Sequence, residues 1–176
     1  MKRGDECIAA ACSMRTRWFL MAAFLVLLQV STVCADDSSP EQLSSEGLKS
    51  LLEQQQGQVL IVNLWATWCA PCIREIPELM ELELELASQG VRLIAVNMDD
   101  PADHERVREF VTGHFSDLHT YQRSDFDMDT LVSVVDPAWN EILPTTYLVD
   151  RKGVVAVKIQ GRKTPEEFRS EINALL

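Results

Sequence analysis

The sequence predicts an α/β domain with a mixed central sheet, parallel crossovers plus an antiparallel C-terminal hairpin, flanked by helices. Three observations carry this. The apolar runs at 59–64 and 91–97 are each followed by helical patterning, the sign of parallel strands joined by crossovers. The runs at 145–149 and 154–159 flank the turn Asp150-Arg151-Lys152-Gly153 and read as a hairpin. Thr164-Pro165-Glu166-Glu167 then opens a last helix with a capping box, its Phe168, Ile172 and Leu175 facing inward.

The remaining elements follow from the same signals. Residues 36–40 form a polar tail, and Ser44 or Ser45 caps a helix with Leu48, Leu51 and Leu52 on one face. A helix runs from Ala70 with Pro77 inside it, where a missing N–H and a steric clash predict a kink. Glu81-Leu82-Glu83-Leu84-Glu85-Leu86 alternates like a strand, but Ile76, Leu79, Met80, Leu86 and Ala87 continue a helical stripe that Gly90 stops. Asp100-Pro101 starts another helix with Val107, Phe110 and Val111 on its apolar face. A short strand is expected near 118–121, and Asp127 caps a short helix carrying Met128, Leu131, Val132 and Val135.

Residues 1–35 read as an export signal: Arg15 and Arg17 precede an apolar run, and Val33-Cys34-Ala35 fits a cleavage site before Asp36. Met14 is an alternative start that gives a more ordinary signal, and an uncleaved leader would tether the domain to the membrane. Cleavage leaves one domain, 36–176, in which Cys69 and Cys72 are the only thiols of the five in the chain. An exported domain with one such pair has no disulfide framework, so the pair is there for its reactivity. The domain carries 25 acidic against 12 basic residues, which argues against nucleic acid as a partner.

Trp65-Ala66-Thr67-Trp68-Cys69-Ala70-Pro71-Cys72 joins the first strand to its helix. Cys69 therefore sits over a helix N-terminus, whose partial positive charge favours the thiolate that attacks disulfides. No second cysteine pair or nearby histidine pair completes a structural zinc site, and no cofactor is required for dithiol exchange.

These residues resemble the thioredoxin superfamily, and within it the TlpA/ResA-like exported thiol–disulfide oxidoreductases. The resemblance rests on 62–72, on Glu75-Ile76-Pro77, and on Leu143-Pro144-Thr145-Thr146-Tyr147-Leu148-Val149-Asp150 before Gly153. It implies a thioredoxin fold, with Cys69 as nucleophile and Cys72 as resolving thiol. It also implies that Trp68 borders the sulfur and that Pro144 is a cis-proline beside which Leu143 pairs with the substrate backbone. Its partners would be disulfide-containing client proteins and a membrane thiol-relay that returns electrons. Its compartment would be the periplasm.

This chain departs from that pattern in two respects. Asn63 stands where thioredoxins place a buried Asp that moves the resolving thiol's proton. The N-terminal β-hairpin and acidic insert of many cytochrome-maturation members are not evident either. Other features weigh less. Asp125-Phe126-Asp127-Met128-Asp129 imitates a calcium loop but has Thr130 where Gly belongs, so it reads as loop and helix cap. Glu75, three residues after Cys72, has the spacing to tune that thiol across the helix, but it and Glu141 read first as solvated surface carboxylates, and Trp139 as packing under the Pro144 loop. Pro71 between the cysteines resembles reducing thioredoxins more than strongly oxidising exported proteins, a resemblance that implies a reductase. The alternatives are a disulfide oxidase or isomerase, and a non-catalytic copper chaperone using the cysteines and one of His104, His114 or His119.

Overall fold

The computed structural model describes residues 39–176; the expected export signal with its three cysteines, and the expected cleavage site, lie outside the described residues. The elements in chain order are β1 (Glu41–Leu43), α1 (Ser45–Gln54), β2 (Val59–Trp65), α2 (Ala70–Leu86) and β3 (Val91–Asn97). They continue with α3 (His104–His114), β4 (Thr120–Arg123), α4 (Met128–Val132), β5 (Thr145–Val149), β6 (Val155–Gln160) and α5 (Pro165–Asn173). Short 3-10 turns at Ala87–Gln89 and Pro101–Asp103 end α2 and lead into α3.

The strands form one sheet in the order β1-β4-β3-β2-β5-β6. β1, β4, β3 and β2 run parallel, while β5 lies antiparallel to β2 and β6 antiparallel to β5. β2 is central and buried along its whole length, as its continuous apolar run requires. Each buried Val, Leu or Ile there contributes about 1.5–3 kcal/mol relative to exposure. Because side chains alternate along a strand, Leu60, Val62 and Leu64 join Leu48 and Leu52 of α1 and Leu131 and Val132 of α4 on one face. Val59 and Ile61 meet Leu79, Leu82 and Leu86 of α2 and Phe168 and Ile172 of α5 on the other. Trp65 and Ala95 continue that second face under Val107 and Val111 of α3.

Capping follows the sequence closely. Ser44 Oγ accepts from Gly47 N–H, Asp127 caps α4, and Thr164 and Glu167 form the reciprocal box of α5. The Glu–Leu alternation at 81–86 is helical, and Gly90 stops the chain in the left-handed region at φ 81°. Two sequence expectations shift. The fourth strand begins at Thr120 instead of 118, and the polar lead-in contributes β1, an edge strand paired to β4 that no local pattern announced.

Candidate active site

The carboxyl end of β2 leads through Ala66-Thr67-Trp68 to Cys69, the N-cap of α2. Cys69 N–H donates to Ala66 O at 3.0 Å and closes the turn. Cys69 and Cys72 form a disulfide, and Cys72 N–H donates to Cys69 Sγ at 3.3 Å. That contact places the sulfur where an N-cap side chain accepts the helix's unpaired N–H groups, a setting that favours negative charge on it. Cys69 is 5% exposed and Cys72 wholly buried, so incoming chemistry reaches Cys69 first. Trp68 stands out from the turn at 63% exposure.

The turn is built on a buried carboxylate. Asp99, just past β3, accepts Thr67 N–H at 2.8 Å and Thr67 Oγ–H at 2.6 Å. It also accepts from Asn97 Nδ2 at 2.9 Å and from Arg106 Nη2 at 3.0 Å. Four donors on a fully buried carboxylate side chain satisfy its charge and fasten the cysteine turn to β3 and α3. Below it, the indole N–H of Trp65 donates to Thr120 Oγ1 at 3.1 Å, and its ring meets Phe115 edge-on.

On the other side of the disulfide the Leu143–Pro144 peptide is cis, the isomer the resemblance implies. Leu143 packs against the cluster that contains both cysteines. Pro144 is buried, and its carbonyl accepts Gly161 N–H at 2.9 Å. Trp139 lies beneath this loop, its Nε1–H on Thr145 Oγ1 at 3.4 Å. Tyr147 Oη and Lys158 Nζ both donate to Asp136, which pins the loop's start to the hairpin and holds the Asp136 carboxyl below its usual range.

Glu75 corrects the sequence reading. It is not a solvated surface carboxylate; it is completely buried. Its Oε2 accepts from Asn63 Nδ2 at 3.1 Å and its Oε1 accepts Lys163 N–H at 3.3 Å. Burial raises its pKa from 4.5 to about 7, against the opposing pull of those two hydrogen bonds and of Arg162. The signal was present in the sequence. Cys72, Glu75, Ile76, Leu79, Leu82 and Leu86 form one buried stripe of α2, at spacings of three and four, and Glu75 belongs to it despite its charge. Asn63 also donates to Thr146 Oγ1 at 2.9 Å, so both of its amide hydrogens are used. Asp99 was missed as well, because nothing in Asn97-Met98-Asp99-Asp100 marks which acid turns inward.

The remaining candidates stand elsewhere. Glu141 is exposed, with a positive φ of 59°. His104 bonds Gln42 and Gln122, His114 stacks on Phe110, and His119 pairs with Glu41. Among the described residues no group of three His, Cys, Asp or Glu is placed to hold a metal ion, and no helix is long and apolar enough to cross a membrane.

Comparison with known proteins decides the family. The model of the AhpC/TSA family matches residues 35–158. The chain belongs to that family. It is 32% identical to the thioredoxin-like protein YneN of Bacillus subtilis, over 79% of this chain and 76% of that one. It is 28% identical to the thiol–disulfide oxidoreductase ResA of Geobacillus thermodenitrificans, over 82% of this chain and 80% of that one. Among solved structures it superposes on a DsbF homologue from Corynebacterium diphtheriae with a TM-score of 0.61 at 20% identity, covering 70% of this chain and 76% of that one. A thioredoxin-family thiol:disulfide interchange protein from Chlorobium tepidum gives 0.58 at 21% identity, covering 70% and 83%. At such identities the likeness shows the fold alone, and that fold is the thioredoxin fold. A peroxidatic Pro-x-x-x-Thr-x-x-Cys is missing, since Asn63 stands four residues before Thr67 and Thr67 only two before Cys69.

Proposed function

We propose that this thiol–disulfide oxidoreductase works outside the cytoplasm and reduces disulfides in client proteins. The observation that carries the reading is the Cys69–Cys72 pair, with Cys69 at the rim over the N-terminus of α2 and Cys72 buried one turn from an ionisable Glu75. The Cys69 thiolate attacks one sulfur of the client disulfide, and the other client sulfur leaves as a thiolate and takes a proton. The mixed disulfide lies against Trp68 and the Leu143–Pro144 loop. Cys72 gives its proton to Glu75 and attacks Cys69 Sγ, releasing the second client thiol and closing Cys69–Cys72. Two electrons have then passed to the client.

A proton acceptor for a buried thiol must both take up and give back a proton near the working pH, and a carboxyl raised to about 7 meets that condition. Glu75 therefore supplies the function that Asn63 cannot. Two electrons and two protons return from a thiol-relay donor, the membrane partner the resemblance implies. The reducing direction rests on Pro71, and the export on the leader expected at residues 1–35 and on the exported family that the motifs resemble.

Cys72→Ala tests the cycle. It is expected to abolish multiple-turnover reduction of a protein disulfide and to accumulate a mixed disulfide through Cys69, read by mass spectrometry. Intact turnover in Cys72→Ala would sink the two-thiol cycle. Direction is read separately from the thiol state in growing cells after acid quench: a mostly reduced pair supports the reductase, and a pair kept oxidised with the donor present rejects it.

A further inference from the structure

The redox cycle makes no use of the loop between β4 and α4, although that loop holds the most exposed aromatic ring among the described residues. Phe126 is 79% exposed, yet the backbone around it is fixed on every side. Ser124 N–H donates to Leu43 O at 2.9 Å, Asp125 Oδ2 accepts Ser45 N–H at 2.6 Å, and Asp127 caps α4. Arg123, itself buried, donates Nη1–H to the carbonyls of Asp125 and Phe126 at 2.5 and 2.7 Å. Its Nε–H goes to Met98 O at 3.0 Å. Met98 N–H in turn donates to Trp65 O at 2.7 Å, where β2 departs for Cys69. One buried guanidinium thus ties the Phe126 loop and the cysteine strand into a single frame.

That frame holds an apolar ring in water, an arrangement that burial elsewhere would relieve. The ring also stands on the right side of the molecule. β1, β4, β3 and β2 are parallel, so their carboxyl ends share one edge of the sheet. Cys69 follows β2 and Phe126 follows β4, strands whose axes lie two spacings or about 10 Å apart with β3 between them. β5 starts at the same edge because it runs antiparallel to β2, and it brings Ile142, 47% exposed, to the opposite side of the disulfide from Phe126.

We infer that Phe126 is a second docking point for the client polypeptide, an aromatic anchor for an apolar side chain that flanks the client's disulfide. The inference rests on the thiol–disulfide reading and adds a partner surface to it. An extended client chain advances about 3.3 Å per residue, so a polypeptide engaged at Cys69 extends along this edge of the sheet toward the ring, whereas a small disulfide does not. A ring on a fixed backbone loses little conformational freedom on docking, which is the property of an interface anchor.

The test compares Phe126→Ser and Phe126→Tyr in the full chain, with insulin and 5,5′-dithiobis(2-nitrobenzoic acid) as protein and small-molecule disulfides. Phe126→Ser is expected to raise KM for insulin roughly three- to tenfold, with kcat and the small-disulfide rate within about twofold of the unaltered protein. Phe126→Tyr is expected to restore the insulin KM. Urea unfolding midpoints check that both variants fold, as substitutions of an exposed side chain should. An unchanged insulin KM in Phe126→Ser overturns the inference, and so does an equal loss on both substrates. Loss of self-association as the only effect also overturns it, by assigning the ring to a second copy of the chain. If the unaltered protein reduces neither substrate, the redox reading itself has failed, and this inference falls with it.

Discussion

Glu75→Gln is the substitution that separates the buried carboxyl from every other group in the site. A carboxyl whose folded pKa lies above its unfolded one holds its proton more tightly in the native state. Its contribution to stability is therefore complete below pH 4.5 and is lost as the pH climbs through about 7. Two and a half pH units at about 1.36 kcal/mol each make the loss about 3 kcal/mol. Gln keeps the shape and removes the titration. Its single carbonyl oxygen replaces only one of the two acceptors that Asn63 and Lys163 use, at a cost of about 1 kcal/mol. The variant should then be the less stable protein by about 1 kcal/mol below about pH 4, about equal near pH 5, and the more stable one by about 2 kcal/mol at pH 8. Urea unfolding of the oxidised protein from about pH 3.5 to 8 measures all three. The difference between the two proteins cancels the histidines and other groups they share. A difference that stays flat across that range would refute the raised pKa. In the proposed cycle the same substitution slows the attack of Cys72, so rapid-quench trapping should find the mixed disulfide living longer in Glu75→Gln.

Asp99→Ala leaves Thr67 N–H, Asn97 Nδ2 and the Arg106 guanidinium without their shared acceptor, and a loss of about 2–4 kcal/mol is expected in urea unfolding. Thr67→Val removes only the hydroxyl's 2.6 Å bond and should cost about 1 kcal/mol in the same assay. Thr164→Ala breaks the capping box of α5 and should lower stability by about 1 kcal/mol in urea unfolding.

Much of the site was legible because its chemistry is local. Two cysteines three residues apart at a strand-to-helix turn place Cys69 over the helix N-terminus and the pair within reach of a disulfide, while the order of the two sulfurs came from the family resemblance. The helix through Glu81–Leu86 was legible despite its alternation, since the apolar stripe before it sets the period and Gly90 supplies the stop. Glu75 shows the limit of that logic. Its charge argued for water, and only the packing of α2 over Asn63 and beside Lys163 shows that its oxygens are satisfied indoors.

The sequence by itself determined the element types, most of their ends, the mixed sheet and the reactive pair, because periodicity, caps and turn residues act within a few positions of the chain. Tertiary structure alone decided what depends on residues distant in sequence. The three-residue strand β1 exists because β4 offers it a ladder about 80 residues away. Asp99 becomes the anchor of the cysteine turn because β3 lies beside β2. Phe126 stands on the reactive edge because four parallel strands end together. Hydrogen bonds and burial of this kind are set by which strands become neighbours, and no local stretch of the chain encodes that choice.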